Sequence, residues 1–216
     1  MPKLISWNVL YRAYEEKFNP NSEILATYSR EEDRVAQIVS LLKEHIDPDT
    51  VACLQEVSTP VILGLVKEFE KSHRIFSYNL REDEHLVTIT PKEFKIENGY
   101  SHDTSNGYLE VTNGIYQVIN CHLLPQRYTK KNILEYLCKL RKTKRDTFIA
   151  GDFNELHSKV KEKLQGKFTC PYYGRTYKHK AIDQIVFNAK PSEHTAQKIN
   201  QVHISDHHMI LLDFQL

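Results

Sequence analysis

The sequence predicts an α/β fold in which mixed β-sheets pack together with helices outside. Three observations lead there. Short apolar runs at residues 51–54 and 147–150 read as strands buried on both faces. Two stretches carry apolar residues at helical spacing with charged residues between them. The order of these patterns is β-α-β-α, then several β, then α-β and β-β, which suits layered sheets with outer helices better than an all-β or all-α domain.

Taken in order, residues 4–9 form a first strand ending at Asn8, and a tyrosine-rich polar excursion follows to residue 28. Ser29-Arg30-Glu31-Glu32 has the spacing of a capping box, and Val35, Ile38, Val39 and Leu42 place one buried stripe on a helix over residues 30–44. Asp47-Pro48-Asp49 ends it, and residues 51–54 deliver Glu56 at a strand end. Thr59-Pro60 predicts a helix start, with Ile62, Leu65, Val66 and Phe69 inward. Short strands are expected at residues 74–78, 85–90 and 93–97, and Asn113-Gly114 marks a hairpin between residues 108–112 and 115–123. A helix at 128–142, a strand at 147–150, a short helix at 159–164 and strands at 181–187 and 209–214 complete the chain.

The 216 residues are 40% apolar and 26% charged, with no apolar run of membrane-spanning length, so one domain over residues 1–216 and no membrane partner are expected. The N-terminus has no signal-peptide pattern and the four cysteines have no paired spacing, which predicts reduced thiols and an intracellular protein, cytoplasmic or nuclear. A net charge of +1 gives no global pull on a polyanion. Residues 129–145 hold seven Lys or Arg, and residues 175–180 form a second basic stretch. Each reads equally as a solvated face or as a phosphate-binding surface.

Five strand ends carry a carboxylate or amide: Asn8, Glu56, Asp152 with Asn154, Asp183, and Asp206 before His207. One would be noise. Five predict convergence on a cation and a phosphate, and the lack of a cysteine cluster points to a hard cation with oxygen ligands.

Trp7-Asn8-Val9, Leu54-Gln55-Glu56-Val57, Asn120-Cys121-His122-Leu123, Gly151-Asp152-Phe153-Asn154, Ile182-Asp183-Gln184-Ile185 and Ser205-Asp206-His207 stand in the order found in the endonuclease/exonuclease/phosphatase superfamily. Within it the chain most resembles the deadenylase and nocturnin branch, through the tyrosine-rich segment after Leu10 and Thr176-Tyr177-Lys178 ahead of Asp183. The resemblance implies a four-layer α/β sandwich, two mixed β-sheets face to face with helices on both outer faces. It also implies a phosphodiesterase dependent on Mg2+, with Mn2+ able to substitute. Glu56, Asn8 and Asp206 would hold the metal. Asp152, Asn154, His207, Asp183 and His122 would be catalytic, and Asn120, Arg127, Tyr177 and Lys178 would meet the substrate. The substrate it implies is nucleic acid, RNA favoured over DNA, cut by a 3′ exoribonuclease of deadenylase type, with no protein partner indicated.

Two alternatives stay open. The same site could act on a 2′,5′-oligoadenylate, a tyrosyl-DNA adduct, a nucleotide-cofactor phosphate, or an inositol or sphingolipid phosphate. Alternatively, the chain could be an inactive nucleic-acid-binding module. The segment 81–107 and the total length are short for the deadenylase branch, so the resemblance is weakest on substrate.

Overall fold

The computed structural model describes residues 1–14, 22–102, 106–124, 145–164, 166–201 and 203–216. The expected helix at 128–142, Arg127, Cys138 and nearly all of the first basic stretch lie outside them.

The elements in order are β1 (Lys3–Asn8), α1 (Ser22–Thr27), α2 (Glu31–His45), β2 (Thr50–Val57), α3 (Thr59–Phe69), β3 (Arg74–Arg81), β4 (Glu84–Thr90), β5 (Lys95–His102), β6 (Asn106–Thr112), β7 (Tyr116–His122), β8 (Asp146–Asp152), α4 (His157–Leu164), β9 (Asp183–Phe187), β10 (Glu193–Ile199) and β11 (Met209–Gln215). They make a six-stranded sheet in the order β10-β11-β1-β2-β4-β3 and a five-stranded sheet in the order β5-β6-β7-β8-β9. Each sheet is mixed. The parallel pairs are β1 with β2 and β7 with β8, and all other neighbours run antiparallel.

Strand alternation explains the layers. On β1, Leu4 points into the interface between the sheets while Ile5 and Trp7 point to the opposite face. Leu4, Val51, Cys53, Leu86 and Ile210 of the first sheet thus meet Leu109, Val118, Phe148 and Ile185 of the second. Tyr116, Phe148 and Phe214 pack with ring centroids 4.4 to 5.8 Å apart in the same layer. Ile5, Trp7, Leu54 and Val87 are covered by Ile38 and Leu42 of α2 and Val61, Leu65 and Phe69 of α3. On the far side, Val160 and Leu164 of α4 close over Ile119, Ile149 and Val186. Two mixed sheets face to face with helices outside is the expected architecture.

Several local expectations change. The capping box at Ser29 is not formed: Arg30 is the residue before α2, no side chain caps the helix, and Arg30 is paired instead with Asp33 at 2.8 Å. Thr59 opens α3 rather than preceding it, and its amide is held by the Asp83 carboxylate at 3.2 Å, a cap supplied from the β3–β4 turn. The Asn113-Gly114 hairpin forms with Gly114 at φ +89° and the Asn113 side-chain oxygen accepting the amides of Ile115 and Tyr116. Two elements lacked a sequence signal. β10 is an edge strand with one hydrogen-bonded neighbour and little burial, so it needs no apolar alternation. The six-residue α1 buries Ile24, against Leu10 and Ala13. Among the described residues no helix is long and apolar enough to cross a membrane.

Candidate active site

Both parallel pairs end at the same edge of the sandwich, and this is why the chemistry collects there. β1 and β2 finish with Asn8 opposite Gln55, while β7 and β8 finish with His122 opposite Asp152. β4 runs antiparallel to β2, so its beginning, Glu84, reaches the same edge. The β9 start and the segment before β11 add Asp183 and His207.

Glu56 arrives by a break in the pleat. The β2–β4 register shifts between Leu54 and Val57, and Glu56 sits at φ +51°, a left-handed conformation that costs a glutamate about 1 kcal/mol or more. Leu54 and Val57 therefore both face the helices, which frees Glu56 to turn toward the edge. Asn154, at φ +46°, shows the same kind of strain on the opposite side of the site.

Asp152 is the hub. Its carboxylate accepts from the Asn8 amide at 3.2 Å, from the Asn154 backbone at 2.8 Å and from the Asn154 side chain at 3.2 Å. His122 Nε2 stands 3.7 Å away and His207 Nε2 3.9 Å away. Asn8 also donates to Glu56 at 2.9 Å, while its own oxygen takes the Leu10 amide at 3.0 Å. Asn8 thus presents its NH2 group, not its oxygen, to the carboxylates.

Each histidine is oriented from behind. His207 Nδ1 lies 3.0 Å from both oxygens of Asp183, its ring stacks on Tyr177 at 4.5 Å, and its carbonyl accepts from Trp7 Nε1 at 3.1 Å. His122 Nδ1 lies 2.9 Å from Glu84, a carboxylate only 1% exposed. Burial disfavours charge on both rings, but the facing carboxylates outweigh it. His122 is pushed up to about 9 by Glu84, Glu56 and Asp152, and His207 rises well above its ordinary value through Asp183. Both rings are thus held toward the protonated form. Burial, with the Asp183 charge, lifts Asp152 to about 6 against the opposing pull of the histidines, and burial also raises Glu56.

Behind the site two buried arrangements hold the loops. Asn120, fully buried, donates to Leu54 O, Val87 O and Thr88 Oγ1 and accepts from Gln55. It ties the sheets together and does not reach the pocket, so its expected place among the substrate contacts is not where the fold puts it. Arg34 of α2, equally buried, donates to the carbonyls of Val9, Leu10 and Ile204 and so joins the loop after β1 to the one before β11. Ser205 adds a bond to the Asn8 carbonyl at 2.7 Å.

Glu56, His122, Asp152, Asn154, Tyr177, Asp206 and His207 all line one pocket of about 360 Å³, with Tyr11, Arg12, Arg81 and Glu84. Lys178 stands beside it, its Nζ 5.0 Å from the centre of the Tyr177 ring. Sequence reasoning missed Tyr11, Arg12, Arg81 and Glu84. Glu84 enters an apolar strand run from its N-terminal side, and only the antiparallel pairing of β4 turns that position toward the site.

The donor set fits a hard divalent cation. Ligand atoms of Glu56, His122 and Asp152 lie within 4.8 Å of one another, and those of Asp152, Asp183 and His207 do likewise. In the second group Asp183 already pairs with the histidine, so the Glu56–Asp152 side, where two carboxylates share the Asn8 amide, suits an ion better. Asp206 belongs to neither group; its Oδ1 is 4.0 Å from His207 Nε2.

No family model matches the chain, and no curated protein matches it either. Solved structures do. Truncated TDP2 from Caenorhabditis elegans superposes with a TM-score of 0.72 at 14% identity, over 100% of this chain and 98% of that one. An endonuclease/exonuclease/phosphatase from Bacteroides vulgatus gives 0.73 at 14% identity over 100% and 98%. D. rerio TDP2 complexed with single strand DNA product gives 0.68 at 16% identity over 100% and 99%. The chain has the endonuclease/exonuclease/phosphatase fold.

Proposed function

We propose that residues 1–216 act as one catalytic domain, an intracellular, cytoplasmic or nuclear, Mg2+-dependent phosphodiesterase that hydrolyses nucleic acid. The observation that carries the reading is Asp152, which is within 4 Å of two carboxylate-backed histidines and bonded to two amides, with Glu56 beside it. Nothing in a purely structural role calls for two buried histidines, each backed by its own carboxylate, aimed at a third carboxylate.

Glu56 and Asp152 would hold the ion, Mg2+ or Mn2+, which supplies positive charge against the phosphate. The rest of the chemistry belongs to side chains of this chain. The His122 and His207 Nε2 groups carry protons and face the space a phosphate would fill, where they offset the charge that grows on its oxygens. Asp152 orients a water for attack and accepts its proton, and Asn154 donates to Asp152 and to the phosphate. As the new O–P bond forms the old P–O bond breaks, and His207 returns a proton to the departing oxygen. Asp183 fixes the His207 ring with Nδ1 toward itself, so that Nε2 is the nitrogen that acts. Tyr177 and Lys178 form the wall on which a base or backbone rests.

The motif resemblance supports a deadenylase-type 3′ exoribonuclease. A second reading, with DNA as substrate, is favoured by one similar structure, D. rerio TDP2, which is described with a single strand DNA product. One labelled panel separates them: 3′-oligoadenylate RNA, random RNA, matching DNA, a 2′,5′-linked adenylate oligomer and an inositol polyphosphate, each with Mg2+ or EDTA. Wild type should shorten the oligoadenylate from its 3′ end, and Glu56→Gln should lower the rate by on the order of a hundredfold. Cleavage of DNA alone would move the substrate, and no cleavage of any member by the folded protein with Mg2+ would sink the reading.

A further inference from the structure

The two helices that cover the first sheet leave an open groove between them. Val35 and Val39 of α2 and Gly64 of α3 line its middle, in a cleft of about 430 Å³. The glycine lets the valines come in: a β-carbon at Gly64 would stand 3.1 Å from a methyl of each. Both valines are only half-buried. Leu63, next to Gly64 and one turn before Lys67, is 65% exposed, while Val61, Leu65 and Phe69 of the same helix are buried. A continuous apolar strip rimmed by charge is the pattern of a contact surface, not of a solvated helix face.

The charges give the groove a direction. Val39 lies beside Gly64, and one turn further on Lys43 meets Glu68 at 2.6 Å, so α2 and α3 run parallel. Glu32 lines the groove at its start, and Lys67 lines it about three turns later. Both are exposed, and neither has an ion partner among the described residues. Lys43 and Glu68 neutralise each other. The groove is thus acidic at one end, apolar in the middle and basic at the other. A uniformly acidic or uniformly basic peptide would be attracted at one end and repelled at the other. A second groove of the same kind, turned end for end, matches at both.

We infer that this groove is the contact between two copies of the chain, related by a two-fold axis across its middle. Glu32 of each copy then faces Lys67 of the other, and Leu63, near the axis, meets its own counterpart. Such a contact closes on itself, so assembly stops at two. Arg34, in the same turn as Glu32, bonds the carbonyls of Val9 and Leu10, so the acidic end is the one nearer the candidate active site. The axis therefore sets the two sites at opposite ends of the pair. The groove is short for a permanent interface, which predicts a dimer that exchanges with its monomer in the micromolar range. The inference stands apart from the phosphodiesterase reading and does not depend on it.

Sedimentation equilibrium in low salt, from about 1 to about 300 µM chain, tests it. The weight-average mass of wild type should rise from one chain toward two and no further. Glu32→Lys sets lysine against lysine at both ends of the pair, and Lys67→Glu sets glutamate against glutamate. Each variant alone should therefore raise the dissociation constant about tenfold. Mixed in equal amounts, the two variants should return close to the wild-type constant, because each carries the charge the other lacks. Leu63→Asp, at an exposed position and checked for folding by circular dichroism, should remain one chain throughout. Wild type that stays one chain at every concentration would overturn the dimer and leave the groove to a different partner. A dimer indifferent to these variants, or single variants that do not recover on mixing, would overturn this face as its contact. A mass climbing past two chains would overturn the two-fold closure.

Discussion

Glu110, on β6, is buried, and its Oε1 has no hydrogen-bond partner among the described residues. Burial, with the charge of Glu97 adding to it, pushes its carboxyl up to about 7 from an ordinary 4.5. The sign follows from linkage. Below pH 4.5 the carboxyl is protonated in both states and costs nothing. Between 4.5 and 7 the folded chain holds a proton that the unfolded chain has released, so stability falls as pH rises, and above 7 the full penalty remains. Glu110→Gln should therefore melt about 5 °C above wild type at pH 8, a gain of about 2 kcal/mol, and the two curves should meet near pH 4.5. A constant offset at both pH values would mean that charge is not the cause. The same balance of burial against neighbouring charge explains which site residues were legible in the sequence. Asn8, Glu56, Asp152, Asp183 and His207 follow apolar strands or flank them, and that context announced them. Tyr11, Arg12 and Arg81 sit in polar segments whose partners come from other strands, so nothing local distinguished them from solvated charge. Asn120 misled for the opposite reason: a strand-end amide on the same face as a site histidine, it lies one step deeper between the sheets and its side chain is taken up in joining them.

At the scale of elements, the end of β8 is set by Gly151. A β-carbon built there would stand 1.9 Å from the Cys121 carbonyl oxygen on β7, a clash with backbone that no side-chain movement relieves. Gly151 pairs opposite Gln184 on β9, and Asp152 follows it directly. Gly151→Ala should force β7 and β8 apart, lower stability by about 3 kcal/mol or more in urea titration, and displace the carboxylate on which the site turns. A variant with wild-type stability would show that the two strands have room. Elements of this kind, buried on both faces or amphipathic, were readable: β2, β8, α2 and α3 all lie where their apolar periods place them. β10 and α1 were not, because an edge strand and a helix of six residues bury too little to leave a pattern. The cap of α3 was out of reach for another reason, since its acceptor, Asp83, lies twenty-four residues away on a turn.

At the scale of the molecule, the site is shared between the sheets. Asn8, Glu56, Glu84 and His207 come from the first sheet and its loops, and His122, Asp152 and Asp183 from the second. Neither sheet alone has a complete set, and the core between them is continuous from Leu4 to Phe214. Loss of the proposed phosphodiester hydrolysis in urea should therefore coincide with loss of far-UV circular dichroism at a single midpoint. Activity lost at markedly lower urea would mean that the edge opens before the sandwich does.

The bond from Trp7 to the His207 carbonyl spans two hundred positions, and β11 lies hydrogen-bonded between β10 and β1. Synthesis proceeds from one end, so a chain still being made has Asn8, Glu56 and Asp152 outside the ribosome while β1 lacks the neighbour that completes its sheet. The unfinished polypeptide carries Asn8, Glu56 and Asp152 but lacks His207, which the segment before β11 sets against Asp183. The site is therefore complete only when β11 has joined β1 and the segment before it has carried His207 to Asp183.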